Sequence, residues 1–437
     1  MLNIAFIPFK SLFFDRAVSL DVLIFSLLLI FIPVALITGP AIPDIFLSLI
    51  ALYFLFISIL KKKWSYYLNP IVYGFFLFSL YGVLRSIFSE TPLLSLNTGG
   101  SFFYFRYIFF AMGVWYLLDK NPYLSKCLMI ISFLSILVVS IDGTYQYFFG
   151  VNIFGNEKHS IDRLTGLFGD EPIIGRYIAY LSIFTFSLIY QNYGKTKITI
   201  LVSVIFLIIC EVVVFLSGER APFFYLILFT ILLIILIPQI RLYRLISLSL
   251  SIIIILIITS FIPYAKDRII DVTTSQIKQT SLPFLPYSDH HEEHYVSALK
   301  MFIDKPIFGI GTNLFRFQCN KSEYKYKTRS CNTHPHNFYL QILAEQGFVG
   351  LFFLIIFYLF LSKLLIKNFI FTTKSNNRKK ISTDFILFLI VLFIYWWPLI
   401  PHMGFYNNWN NVLMMLPLGF FMRYIYGNLN NGFTYKV

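Results

Sequence analysis

Long apolar runs alternate with short polar gaps along almost the whole chain. Twelve runs are about as long as an α-helix must be to cross the hydrocarbon core of a bilayer. They lie at 20–38, 41–60, 69–88, 101–118, 124–149, 172–190, 197–217, 220–238, 243–264, 338–366, 383–401 and 409–427. The pattern predicts an all-α, polytopic membrane protein with twelve transmembrane helices in one integral domain, 1–437. Only one gap is large. Residues 265–335, between the ninth and tenth runs, form a single long polar loop.

The tenth run is too long for a plain span. At 1.5 Å per residue, 338–366 makes about 43 Å of helix, against a core of about 30 Å. Gly347 and Gly350 fall where a break would relieve the mismatch. The expectation is a short outer helix, 337–346, joined at an angle to a true span. The alternative is one tilted helix whose glycines only permit close packing.

The gaps fix the orientation. Lys10 and Arg16, Lys61 to Lys63, Lys120 and Lys126, Lys195 and Lys197, Arg241 and Arg244, the 363–380 cluster, and Arg423 with Lys436 all fall on one side. By the positive-inside rule that side is cytoplasmic, which puts both termini inside and loop 265–335 outside, in the periplasm. Topology and anionic membrane lipids account for the net charge of +14, so nucleic acid is not an expected partner. Composition agrees: 58% of residues are hydrophobic and 13% charged, where a soluble domain carries about 25% charge. The 51 Phe and 29 Tyr suit lipid-facing surfaces and interfacial belts. The first apolar run is too long for a cleavable signal. There is no Walker motif and no glycine-rich dinucleotide loop, so nothing supports ATP-driven chemistry.

Polar groups within spans are costly and are candidates for function. Arg85, Arg106, Arg163, Arg176, Arg220 and Arg316 gather at outer span ends or in outer gaps. Arginine forks bind phosphate oxygens in bidentate fashion, so such a ring points to a phosphate-bearing ligand; interfacial snorkelling is the bland alternative. Arg220 stands out because Glu219 precedes it and Pro222 follows it at a helix start, where the helix dipole favours an anion. Glu211 lies mid-span with no evident partner and reads as a buried neutral carboxyl bonded to a neighbouring helix; a proton relay is the alternative. The run Asp289-His290-His291-Glu292-Glu293-His294 contains a literal H-x-x-E-H pattern. Without a third-ligand pattern it is read as shaping the outer cavity, and no metal is expected. Cys319 and Cys331 lie in the outer loop, on the oxidising side, and are expected to form a disulfide that stabilises by about 3 kcal/mol in the chain-entropy model. Cys127 and Cys210, within spans, read as apolar packers. Finally, His334-Pro335-His336-Asn337 ends the polar loop and opens the tenth run, which places imidazoles at a helix N-terminus near the water–lipid boundary.

His336-Asn337, nine residues, Gly347, two residues and Gly350 resemble the signature of the bacterial O-antigen ligases. Three further segments resemble that family in order: Arg-Leu-x-Gly-x-Phe at 163–168, Gly-x-Arg at 218–220, and Lys-Pro-Ile-Phe-Gly-Ile-Gly at 305–311. The resemblance covers about 160–355 and extends to O-antigen polymerases and protein O-oligosaccharyltransferases. It implies inverting, metal-independent glycosyl transfer, without a cofactor, on the periplasmic face of the bacterial inner membrane. The donor would be an undecaprenyl-diphosphate glycan and the acceptor a sugar hydroxyl of lipid A–core. It makes His336 the general base and Arg220 a second catalytic residue. Arg163, Arg176, His291, His294, Arg316, His334 and Asn337 would bind substrate. One departure bears on the phosphate: many relatives carry an arginine shortly before the aromatic that precedes the Lys-Pro stretch. Here the aromatic is Tyr295 and His291 stands in the arginine's place, so that contact depends on protonation or falls to Arg268 or Arg316. The first rival is a polymerase with a lipid-linked acceptor. A polyisoprenoid-glycan flippase is the rival from another class; it calls for inverted repeats or helices broken at the midplane.

Overall fold

The computed structural model describes residues 18–98, 100–279, 289–374 and 382–427, and the regular structure within them is helical. Lys10, Arg16, Lys436, residues 280–288 of the long loop and residues 375–381 of the last basic linker lie outside the described residues, as does the side chain of His290. A helix stands at each of the twelve expected positions. In chain order these are α1 (Leu20–Ile30, bent into Ile32–Thr38), α2 (Ala41–Leu60), α3 (Pro70–Ile87), α4 (Phe105–Lys120), α5 (Leu124–Phe149), α6 (Ile174–Tyr193), α7 (Lys197–Leu216), α8 (Arg220–Leu236) and α9 (Arg241–Phe261). After the long loop's own helix α10 (Asp289–Asp304) come α11 (Phe338–Lys374), α12 (Thr383–Tyr395) and α13 (Asn408–Tyr426). Among the described residues seven helices are long and apolar enough to cross a membrane, α4 counting only together with the turns before it as Pro92–Lys120, or eight with bent α1 taken as one span; α8 and α12 are apolar but shorter.

Packing explains why α6 is more polar than a lipid-facing span. It touches α5, α7, α8 and α12 and is buried on nearly every side. Ser182, Thr185, Ser187 and three tyrosines meet helix rather than lipid. The packing of α7, α8 and α9 also corrects the reading of Glu211. Its partner is a cation: Arg244 reaches up from the start of α9 to pair with Glu211 and also bonds Thr230 of α8, while Ser251 Oγ donates to Glu211 Oε2 at 2.6 Å. A long arginine stem allows a residue counted at the span end to act in the interior. Both side chains are buried, at 2% and 5% exposure, so losing either would strand the other charge.

The tenth run breaks where its glycines stand. Gly347 has φ +66 and ψ −161, which ends one helix and starts another. Residues 305–311 fill the break. The amides of Phe348 and Val349 donate to Pro306 O and Ile307 O at 2.9 and 3.3 Å, and the amides of Ile310 and Gly311 donate to Ala344 O and Glu345 O at 3.0 and 2.9 Å. Hydrogen bonds lost from the helix are thereby replaced by the docked segment. Arg85 adds a bond to Gly309 O at 2.7 Å and Tyr81 one to Gln346 O at 2.7 Å. The Lys-Pro-Ile-Phe-Gly-Ile-Gly stretch and the Gly-x-x-Gly end of the signature are thus two halves of one joint.

A Cβ on Gly347 would stand 2.3 Å from Ile307 O, on a backbone that side chains rarely adopt. Gly347→Ala is expected to cost about 1–3 kcal/mol in strain alone and to lower the thermal unfolding midpoint in detergent. Gly74→Ala, in helical backbone with open space around it, should leave the midpoint in place. Equal midpoints for both variants would remove the joint from the account of stability.

Candidate active site

Four arginines meet at the loop end of the bundle. The turn between α7 and α8 supplies the first. Gly218 takes φ +73, and a Cβ there would lie 2.1 Å from Asp162 O, so only glycine lets the 217–219 turn press against the 160–168 segment. Arg220 opens α8, and its Nη1 donates to Gln276 Oε1 at 2.6 Å. Arg268 binds Gly218 O at 3.1 Å and makes an ion pair with Asp162 at 2.8 Å. Arg163 donates to Pro172 O at 3.2 Å. Gln146 of α5 holds this arm by accepting from the amides of Thr165 and Gly166 at 2.9 and 2.8 Å. Arg176 lies in the first turn of α6, whose Gly175 amide donates to Glu219 Oε1 at 2.6 Å. All four arginines are half-buried, and among the described residues the nearby acids are Asp162 and Glu219. Burial raises the Glu219 pKa, opposed by Arg176 and Arg163.

Histidines line the adjoining wall. The ring centroids of His334, His294 and His291 lie 4.4, 5.2 and 5.5 Å from that of His336. His291 also stacks on Tyr295 at 6.0 Å, and His294 Nδ1 lies 3.2 Å from Ser330 O. Burial first, then His291, His294 and Arg176, push the His336 pKa down to about 3. The His334 pKa is held well below the usual range by burial, His336 and Arg176. Both imidazoles are therefore neutral at pH 7. The Asn332 amide lies 3.0 Å from His336 Nε2; with the amide donating, that nitrogen is an unprotonated acceptor. Asn332 is exposed, so an incoming hydroxyl could take its place. Arg176 bears on His334, His336, Glu219 and Arg163 alike, and so joins the two clusters electrostatically.

The expected residues do not all converge. Arg163, Arg176, Arg220, His291, His294, His334 and His336 belong to the two clusters. Arg316 is exposed on the short helix Phe315–Gln318 and acts on His334 as a like charge. Asn337 is buried and engaged within the protein: its Oδ1 caps the amides of Tyr339 and Leu340 at 2.9 and 3.1 Å, and its Nδ2 donates to Pro398 O at 2.8 Å. Arg85 serves the 305–311 joint, and Arg106 pairs with Asp44 at 2.9 Å. Glu293 of the H-x-x-E-H run accepts from the Arg329 amide at 2.8 Å. Among the described residues no three His, Cys, Asp or Glu side chains converge as metal ligands would.

Sequence reasoning missed two features. His402, in the 396–407 connection between α12 and α13, is buried, and its ring centroid is 4.1 Å from that of Phe338. Its signal was a histidine outside every apolar run, preceded by Pro401. The second feature is an apolar groove of about 210 Å³ between α3 and α11, lined by Phe75, Phe78, Phe353, Phe357, Trp396 and Phe405. Trp396 and Phe405 both pack on Phe338, two residues after His336, at 5.7 and 6.0 Å.

Residues 203–355 match the family described as O-antigen ligase. The match holds most of α7, all of α8 to α10, the joint at Gly347, Arg220 and His336, while Arg163, Arg176 and His402 lie outside it. No curated protein matches the chain.

Cys319 and Cys331 are disulfide-bonded, with Cα atoms 4.9 Å apart, and tie Arg316 to the segment that carries His334. Non-reducing peptide mapping of protein made in an oxidising periplasm should recover a Cys319–Cys331 cross-linked peptide. Recovery of both as alkylated free thiols would contradict the bond and the outward assignment of the loop.

Proposed function

Since residues 203–355 belong to the O-antigen ligase family, we propose that this membrane protein is an inverting glycosyltransferase of the ligase type. It moves a glycan from undecaprenyl diphosphate to a sugar hydroxyl of lipid A–core on the periplasmic face of the bacterial inner membrane, with both termini cytoplasmic. The observation that carries this reading is the junction at Arg176: a half-buried arginine cluster with few acids meets a cluster of neutral histidines.

Each cluster has one task. Arg163, Arg176, Arg220 and Arg268 hold the diphosphate, and Arg316 adds field from the rim. Their charge is already in place when the leaving group takes up negative charge, so the transition state is favoured over the ground state. His336 Nε2 removes the acceptor hydroxyl proton. The oxygen attacks the anomeric carbon from the side opposite the diphosphate, the glycosyl–phosphate bond breaks with its electron pair on the phosphate oxygen, and configuration inverts. The proton stays on His336 until solvent removes it. The apolar groove beside Phe338 suits one hydrocarbon chain of a lipid-borne substrate. Polymerase chemistry would use the same site with a lipid-linked acceptor. Deletion followed by gel analysis of surface polysaccharide separates the readings: free lipid A–core with accumulated long lipid-linked polymer means ligase, core bearing one repeat means polymerase, and loss of periplasmic lipid-linked glycan means flippase.

His336→Ala should lose about 10²–10⁴-fold in transfer rate while keeping protein level and donor binding. His334→Ala should cost less. A purified His336→Ala enzyme running within a few-fold of the parent would move the proton to Glu219, Asp170 or water. Arg220→Lys should be nearly as inactive as Arg220→Ala, because a point charge does not replace a bidentate fork; full activity in the lysine variant would reduce the role to field alone. The pH profile has a definite sign. A base is lost as pH falls through its pKa, and the His336 pKa lies at about 3 in the unliganded site. The kcat/KM profile should therefore show no histidine acid limb near the usual value of about 6.5. Bound diphosphate offsets Arg176 and raises the pKa, so the acid limb in kcat should lie at higher pH than that in kcat/KM. An acid limb at about 6.5 in kcat/KM would contradict the buried setting.

A further inference from the structure

His336 carries a conformation that its sequence does not favour. Its φ is +57, in the left-handed region, where a non-glycine residue must be held by its surroundings. The 396–407 connection supplies the hold. The His402 amide donates to His336 O at 2.7 Å. On the next residue, Asn337 Nδ2 donates to Pro398 O at 2.8 Å and Ile400 O at 3.5 Å. Tyr339 OH donates to Trp396 O at 2.6 Å, and the Phe405 amide donates to Gln341 Oε1 at 2.8 Å. A Cβ on Gly404 would lie 3.2 Å from His334 Cγ, so the same connection packs closely against the neighbouring histidine. Pro398 and Pro401 stiffen it before it meets the site. The His402 ring is 3% exposed and wedges between Phe338 and Tyr225, at 4.1 and 6.2 Å between ring centroids.

We propose that His402 is a positioning residue for His336, and that the connection before the last helix is a clasp that sets the direction of the catalytic imidazole. The inference rests on the reading of His336 as the base. It adds to the site an element that lies outside residues 203–355 and comes from the far end of the chain. The His402 amide fixes the His336 carbonyl, and the His402 ring fixes Phe338, so the strained residue is held on both sides. Without the clasp, His336 relaxes toward negative φ, and its ring swings away from the place where Asn332 now meets Nε2.

Three variants separate the parts. His402→Pro removes the amide donor, His402→Ala keeps the amide and removes the wedge, and His402→Phe keeps both amide and ring but no nitrogens. Each is measured as full chain in lipid nanodiscs, with a polyprenyl-diphosphate-linked glycan as donor and lipid A–core as acceptor. A displaced base costs about 10²-fold when misplaced by an ångström, so Pro and Ala should lose about that much in kcat with donor KM unchanged, and Phe should restore most of it. His336→Ala is run beside them. If it is as active as the parent, the base reading fails and takes this inference with it. If it is inactive while His402→Pro and His402→Ala turn over like the parent, the positioning inference alone is overturned. A Phe variant as inactive as Ala overturns it too, by making the ring nitrogens part of the chemistry. So does a loss of donor KM and kcat together, which is the mark of a general structural defect.

Discussion

The joint at Gly347 is the constraint on which the loop end of this protein depends. A helix that ran straight from His336 into the membrane would carry its His336 end along its own axis. The break lets the 338–346 turns lie at their own angle, and residues 305–311 hold that angle with four main-chain hydrogen bonds. The same segment then delivers the turn that precedes Arg316. Glu345 grips that turn from the 338–346 turns through the amides of Asn313 and Phe315, at 2.8 and 3.1 Å. Arg316, His336 and the span are therefore referred to one point.

Electrostatics follows from that geometry. Burial first, then neighbouring histidines and the Arg176 guanidinium, depresses the imidazoles, and among the described residues the acids beside the cations are Asp162 and Glu219. Both conditions suit a site that waits for an anion. Asp162 and Glu219 do not neutralise the cluster so much as aim it: Asp162 holds Arg268 at 2.8 Å, and Glu219 holds the start of α6, one residue before Arg176.

Much of this was legible because it follows from chain-local rules. Apolar run length located the twelve helices, and the excess length of the tenth run with its two glycines located the break. The arginines and the His336 junction were visible as polar groups at span ends. What was not legible depends on which helices become neighbours. Glu211 has no partner within its own helix, and Arg244 sits 33 residues further on, across two turns of the bundle. His402 is far from the signature in sequence and reaches it only because α12 and α13 bring their connection over the outer helix. Asn337 looked like a ligand in the motif, but the geometry of the following helix start claims its amide as a cap. The low His336 pKa arises from burial and from groups on two other elements, His291 and His294 on α10 and Arg176 on α6, and no window of sequence contains them all.

The buried Glu211–Arg244 pair has a consequence for biogenesis. A charge at the centre of a helix entering the bilayer costs about 3 kcal/mol, and Arg244, near the start of α9, brings its cation into the interior only by its long stem. Glu211 leaves the ribosome first, on α7, and its cation arrives only with α9. Between them α8 contributes Thr230, which shares the arginine. The three helices thus form a natural unit of membrane insertion, in which α7 gains its full stability only after α9 has entered beside it.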